Sequence, residues 1–265
     1  MKRSPLPVLF APTHPHPGKP LMVLLPGLDG TGKLFAPQVE TLSRHFDLRC
    51  LSIPEDNRQG WEELATTIVN LIHHEHEQQA RAIYLCGESF GGCLALQVAL
   101  TAPALLNRLV LINPASSLRL QIWSRWMPQA AAYIPEWLYN TSGALAFPLL
   151  ADFERICAHW QRTFIDTVRP ISRDCVIWRL RMLQSFEVSA SRLQRLTMPT
   201  ALIASGRDRL LPSCQEVERL KQLLPDAVTH CFPDSGHVCL LEQAISLAQC
   251  LGSLDFLPRS SSIKV

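Results

Sequence analysis

Leu21–Leu25 (LMVLL) is apolar at every position, so it has no face to turn toward water, and it stops at Pro26-Gly27. A strand covered on both sides reads this way. Residues 48–53 (LRCLSI), 82–86 (AIYLC), 108–113 (RLVLIN), 200–205 (TALIAS) and 227–232 (AVTHCF) continue the series of short strand-like runs. Helical patterns lie between them. One runs from Trp61 to about His74, with Leu64, Ile68, Leu71 and Ile72 at helical spacing. Others cover 92–102 and about 216–224, and residues 238–251 close the series. Strand-helix alternation with short connections predicts an α/β fold, a mostly parallel sheet flanked by helices on both faces.

The alternation stops between about Ser116 and Met198. That stretch holds five of the six tryptophans, Trp123, Trp126, Trp137, Trp160 and Trp178. Residues 152–165 would put Phe153, Ile156, Trp160 and Phe164 on one helical face, and Ser172 is placed to cap a following helix. The expected organisation is therefore a core of residues 1–115 and 199–258. A helical cap, 116–198, is inserted after the strand ending at Asn113, and 259–265 form a frayed tail. Tryptophans at such spacing are first of all core; a subset (Trp123, Trp126, Trp160 and Trp178) is expected to line a lipid-like pocket.

Composition removes several classes. With 47% hydrophobic and 18% charged residues among 265, the chain is too apolar for disorder. A net charge of +2 gives no reason to expect nucleic-acid binding. No apolar run is long enough to span a membrane, and prolines interrupt the basic N-terminal stretch, so no secretory signal is expected. The nine cysteines include no C-x-x-C pair and no spacing for a tetrahedral zinc site. Reduced thiols in a cytoplasmic protein are the expectation. Residues 73–77 (HHEHE) look metal-binding but lack H-E-x-x-H, and read as the solvated end of an amphipathic helix. No metal and no cofactor are expected.

The chemistry concentrates at 85–92 (LCGESFGG), where G-x-S-x-G follows a buried strand and opens a helix. The string alone occurs by chance in about one chain in ten of this length. Its context matters more. A serine on so sharp a strand-to-helix turn needs nearly hydrogen-sized neighbours, which Gly87 and Gly91 supply. Ser89 would then project above the sheet edge at the positive end of a helix. A serine at its free pKa is a poor nucleophile and needs a base held by an acid. His237, just past the sixth strand, and Asp208, just past the fifth, stand in the order Ser, Asp, His that this turn requires. Asp234 is a rival acid, but sharing a loop with His237 makes its reach awkward.

Donors for a developing oxyanion should be the amides of Phe90, after the nucleophile, and Leu28, in the loop 25–32 (LPGLDGTG). Gly27 and Asp29 of that loop are expected against substrate. The loop is no phosphate cradle, because G-x-x-x-x-G-K-[ST] is absent.

With these motifs the sequence resembles the α/β-hydrolase superfamily over nearly its whole length. LPGLDGTG, RCLSIP, GESFGGCLALQVA and LVLINPAS resemble most closely the hydrolase part of the plant phytyl ester synthase (esterase/lipase/thioesterase-like) family and its bacterial relatives. The resemblance is strongest from Leu21 to about Ser117. It implies Ser89 as nucleophile, Asp208 as acid, His237 as base, and acyl esters of a lipid alcohol or glycerol as substrates. Those plant proteins also carry an acyltransferase part marked by H-x-x-x-x-D. No histidine here has Asp at that offset (His237 has Glu242), and the chain ends after one hydrolase unit, so hydrolysis is expected over ester synthesis.

The expected activity is cleavage of a carboxylic ester or thioester with a hydrophobic part, through an acyl-enzyme. Acyl transfer by the same intermediate and a non-catalytic binding protein are the alternatives. Between Leu118 and Met198 there are ten arginines, no lysine and six acids. That basic cap suggests a rim facing an anionic headgroup, acyl-carrier protein or membrane surface.

Overall fold

The computed structural model describes residues 5–121 and 149–258. Among these, seven strands form one sheet: β1 (Val8–Phe10), β2 (Leu21–Leu25), β3 (Asp47–Ser52), β4 (Ile83–Glu88), β5 (Arg108–Ile112), β6 (Thr200–Ser205) and β7 (Ala227–Phe232). Their order is β1-β3-β2-β4-β5-β6-β7. All neighbours from β3 through β7 are parallel, while β1 runs antiparallel along the β3 edge.

The helices are α1 (Ala36–Ser43), α2 (Trp61–Gln78), α3 (Phe90–Thr101), α4 (Ala158–Val168), α5 (Arg173–Ser185), α6 (Ala190–Leu193), α7 (Ser213–Leu223) and α8 (Leu247–Ser253). They explain why β2 is apolar throughout. Leu21, Val23 and Leu25 enter one core with α2, α3 and α7, whereas Met22 and Leu24 enter a second with α1 and α8. All five are fully buried. Since burying each such side chain is worth about 1.5–3 kcal/mol, neither face of the strand can take a polar residue cheaply.

Two expected helices are interrupted. The segment 238–251 is a 3-10 turn, Cys239–Leu241, followed by α8. The backbone is extended at Glu242 (ψ 137°), whose buried carboxylate turns back to accept from Ser235 Oγ, Gly236 N–H and Arg155 Nε. Likewise, 152–165 begins as a 3-10 turn, Phe153–Arg155, and α4 starts only at Ala158. Gln161 Nε2 donates to the carbonyls of Phe153 (2.7 Å) and Ile156 (2.8 Å), occupying acceptors that a continuous helix would have paired. Phe153, Ile156, Trp160 and Phe164 still share one apolar cluster, with Leu34, Val238 and Leu241 from the core. Sequence patterning gave neither β1 nor α1.

Between β5 and β6 the described residues form helices joined by turns and irregular segments, with no strand among them. Ser172 caps α5, its Oγ accepting from Cys175 N–H. The segment is bonded to the core at several points. Trp61 Nε1 donates to the Met182 carbonyl (2.7 Å), and Val238 N–H donates to the Leu150 carbonyl (3.1 Å). Three of its arginines are engaged internally: Arg119 with Glu187, Arg155 with Glu242, and Arg179 with backbone carbonyls. Trp123, Trp126, Trp137 and the tail 259–265 lie outside the described residues. In the HHEHE stretch, Glu75 pairs with Arg49 (2.9 Å).

Candidate active site

Ser89 stands between β4 and α3 at φ 55° and ψ −112°, a conformation that costs a non-glycine residue energy. The turn holds it there. Ser89 N–H donates to the Ile112 carbonyl (2.9 Å), and its carbonyl accepts from Gly92 (2.9 Å) and Ala115 (3.2 Å). The flanking glycines are steric requirements. A Cβ on Gly87 would lie 2.1 Å from the Gly91 carbonyl oxygen, and one on Gly91 would lie 2.1 Å from that of Leu25. The strand-turn-helix reading of GESFG thus holds in detail.

Three of the expected residues converge over this turn. His237 Nδ1 lies 2.7 Å from Asp208 Oδ2, and His237 Nε2 lies 2.9 Å from Ser89 Oγ. An ionised carboxylate only accepts, so Nδ1 carries the proton and Nε2 is free to accept from the serine hydroxyl. Asp208 is itself over-determined. Its Oδ1 accepts from Leu210 N–H (2.8 Å) and Leu211 N–H (2.9 Å), and its Oδ2 also from Ser213 Oγ. Burial pushes its pKa up, but the His237 charge and these hydrogen bonds outweigh that and hold it below the usual carboxylate value. For His237 burial acts downward, and the Asp208 charge and hydrogen bond prevail, leaving the imidazole above its ordinary 6.5. The rival, Asp234, is exposed and pairs with Arg207 instead.

Three positioning groups were not visible in the sequence. Asn113 follows β5 in a left-handed conformation (φ 44°), and its Nδ2 donates to the His237 carbonyl (2.7 Å) and Ser205 Oγ (2.8 Å) while Oδ1 accepts from Ser205 N–H (2.8 Å). Glu242 holds Ser235 and Gly236, immediately before His237. Arg179 of α5 is buried at 3% exposure and lies against the 27–30 turn. Its Nη1 donates to the Leu28 carbonyl (2.7 Å), and its Nη2 to those of Ile53 (3.0 Å) and Pro54 (3.4 Å). Gly30 (φ 71°) leaves the room this takes, since a Cβ there would sit 2.4 Å from Nη1. Phe90 opens α3, so its amide lacks an intrahelical partner and is free to donate. Trp61 packs against the Phe90 ring, centroids 4.8 Å apart.

The site opens on a cavity of about 250 Å³, lined by Gly27, Leu28, Asp29, Glu88, Ser89 and His237 at its catalytic end. Elsewhere the wall is aliphatic, from residues such as Leu118, Leu150, Val168, Ile171 and Leu180, with Phe164. Trp160 and Trp178 do not line it. Both are partly buried and pack against apolar clusters. Glu88 is the unforeseen member: it is 4% exposed, and its Oε1 has no partner among the described residues. Burial pushes its pKa up to about 7.

The sequence profile described as the alpha/beta hydrolase family matches residues 22–249. "Phytyl ester synthase 1, chloroplastic" of Arabidopsis thaliana is 33% identical over 252 residues, covering 86% of this chain but 36% of the plant protein. The chain thus spans just over a third of the length of that relative. "Putative carbamate hydrolase RutD" of Pseudomonas savastanoi pv. phaseolicola is 28% identical over 261 residues, covering 91% of this chain and 95% of that protein. Among solved structures, a lipase-esterase related protein from Clostridium acetobutylicum superposes with a TM-score of 0.75 at 16% identity, covering 94% of this chain and 99% of the other. At that identity the likeness is one of fold.

Proposed function

We propose that this chain, which belongs to the alpha/beta hydrolase family, is a serine hydrolase that cleaves a carboxylic ester or thioester with a hydrophobic acyl part. One observation carries the reading: the hydrogen-bonded series Asp208–His237–Ser89 opens on a cavity whose wall is almost entirely aliphatic.

In this reading His237 Nε2 takes the Ser89 proton as Oγ attacks the acyl carbonyl. Asp208 fixes the tautomer and stabilises the imidazolium. The carbonyl oxygen, now negative, accepts from the amides of Phe90 and Leu28, each worth on the order of 3 kcal/mol of barrier. The tetrahedral species collapses, His237 protonates the leaving alcohol or thiol, and the acyl group remains on Ser89. Water, deprotonated by His237, then releases the acid.

Two features of the relatives define rival substrates. A carbamate presents the same carbonyl to the same serine, and an ester synthase would pass the acyl group to an alcohol instead of water. The test is a panel of p-nitrophenyl esters of rising acyl length, with a thioester, a carbamate, and phytol as added acceptor. Hydrolysis favouring octanoyl over acetyl is expected, together with loss of turnover and of fluorophosphonate labelling in Ser89→Ala. Parental turnover by Ser89→Ala would refute the assignment. Phytyl ester as the main product would favour synthesis.

A further inference from the structure

The carboxyl of Glu88 has no part in the reaction just described, yet it sits in the cavity wall beside the nucleophile. Glu88 ends β4 opposite Ile112 of β5, and its side chain is buried. Asp29, also in the wall, is satisfied by Thr31, whose N–H (2.8 Å) and Oγ1 (2.6 Å) both donate to its Oδ2. Glu88 Oε1 has no such donor among the described residues. Nor does any lysine or arginine among them line the cavity, whose one basic group, His237, must be neutral to act as base. Two acids of one sign therefore face an aliphatic space where water screens little.

We propose that Glu88 makes this cavity selective for uncharged acyl groups and shuts out acyl groups that carry a carboxylate. The inference rests on the ester-cleaving reading above and names its substrate class. An incoming carboxylate would be desolvated by the aliphatic wall and repelled by Glu88, with no lysine or arginine among the described lining residues to compensate. An uncharged polar group suffers neither penalty.

Three methyl esters separate charge from polarity: methyl pentanoate, methyl succinamate and monomethyl succinate, the last two nearly isosteric. At pH 8.5 the wild type should turn over pentanoate and succinamate, and discriminate against succinate. Glu88→Gln should raise the succinate-to-succinamate ratio of kcat/KM by at least about tenfold. The groups facing Glu88 are His237, Asp29, Asp208 and the thiols of Cys86 and Cys239. Because both substrates use the same triad, its titration cancels in the ratio. Should Glu88→Gln fail to fold, the wild-type ratio alone decides, since it should rise as pH falls below about 7 and Glu88 is neutralised. Equal turnover of succinate and succinamate by the wild type, or a ratio unmoved by Glu88→Gln and by pH, would overturn the inference. Failure of the wild type on all three esters would remove the parent reading, which labelling of Ser89 by a fluorophosphonate reports independently.

Discussion

Replacing Arg179 with methionine removes the guanidinium from α5 while keeping a side chain of similar length and an apolar surround. Three carbonyls lose their donor: Leu28 (2.7 Å), Ile53 (3.0 Å) and Pro54 (3.4 Å). Hydrogen bonds from a charged donor are worth about 1.5–3 kcal/mol each. The buried cation, however, carries a desolvation penalty, visible in the downward pull of burial on its pKa, and losing it offsets part of that sum. A net destabilisation of about 1–3 kcal/mol follows. The effect on rate should be sharper. Arg179 holds the Leu28 carbonyl, which lies across the Leu28 Cα from the Leu28 N–H proposed as an oxyanion donor, so losing that grip lets the N–H drift. Other bonds persist in the loop, Gly30 N–H to Gly27 (3.0 Å) and Ile53 N–H to Gly30 (2.7 Å), so the turn loosens without dissolving. Complete loss of an oxyanion donor costs about 10²–10³ in kcat, and partial misplacement should cost about 10–100-fold. Steady-state kinetics on a p-nitrophenyl ester, with urea unfolding of the same preparation, would measure both. The decrease should fall on kcat with KM nearly unchanged, and Arg179→Lys should recover part of it. A folded Arg179→Met protein with parental kcat would refute the idea that this latch positions the oxyanion loop.

In the proposed reaction His237 acts as base only when neutral, and its folded pKa is raised above 6.5. The acid limb of kcat/KM should therefore have its midpoint above 6.5, with activity lost as pH falls through it. Asp208→Asn should lower kcat by about 10⁴ and move that limb downward, because the charge that raises the imidazole is gone; an unmoved limb would contradict the assignment. Asn113→Ala would strand the His237 carbonyl and both Ser205 groups in a buried site and place alanine at φ 44°. Urea unfolding should show a loss of about 2–5 kcal/mol, and less than about 1 kcal/mol would show the network to be dispensable.

Much of the sheet was legible because two-sided burial leaves a plain mark: 200–205, buried at every position, matches β6 residue for residue, and the half-exposed edge run 227–232 still matches β7 through its β-branched and aromatic residues. The hydrogen-bonded series Asp208–His237–Ser89 was legible because its members follow strand ends in a fixed order. What escaped lacks such a mark. β1 is three residues long and alternately exposed, and only the β3 edge gives it a partner. α1 buries a polar residue, Gln38, which bonds to Leu240, Ile245 and Leu247, so its inner face does not look apolar. Trp160 and Trp178 pack against apolar clusters, the core role read first for them, but aromatic content marks burial without saying which side of a wall a ring stands on. Arg179 and Asn113 act on backbone groups 92 to 151 positions away, a relation no local pattern records. Glu88 lay inside the motif, but its significance depends on what is missing around it.

The inserted helices are stitched to the reaction centre at both ends, through Arg179 on the Leu28 loop and through Arg155 on Glu242 beside the histidine. A chimera that exchanged this segment for another would import a new binding wall and at once cut both stitches. Substrate range and turnover should thus drift together under recombination, and directed evolution would do better to vary wall residues in place than to transplant the module.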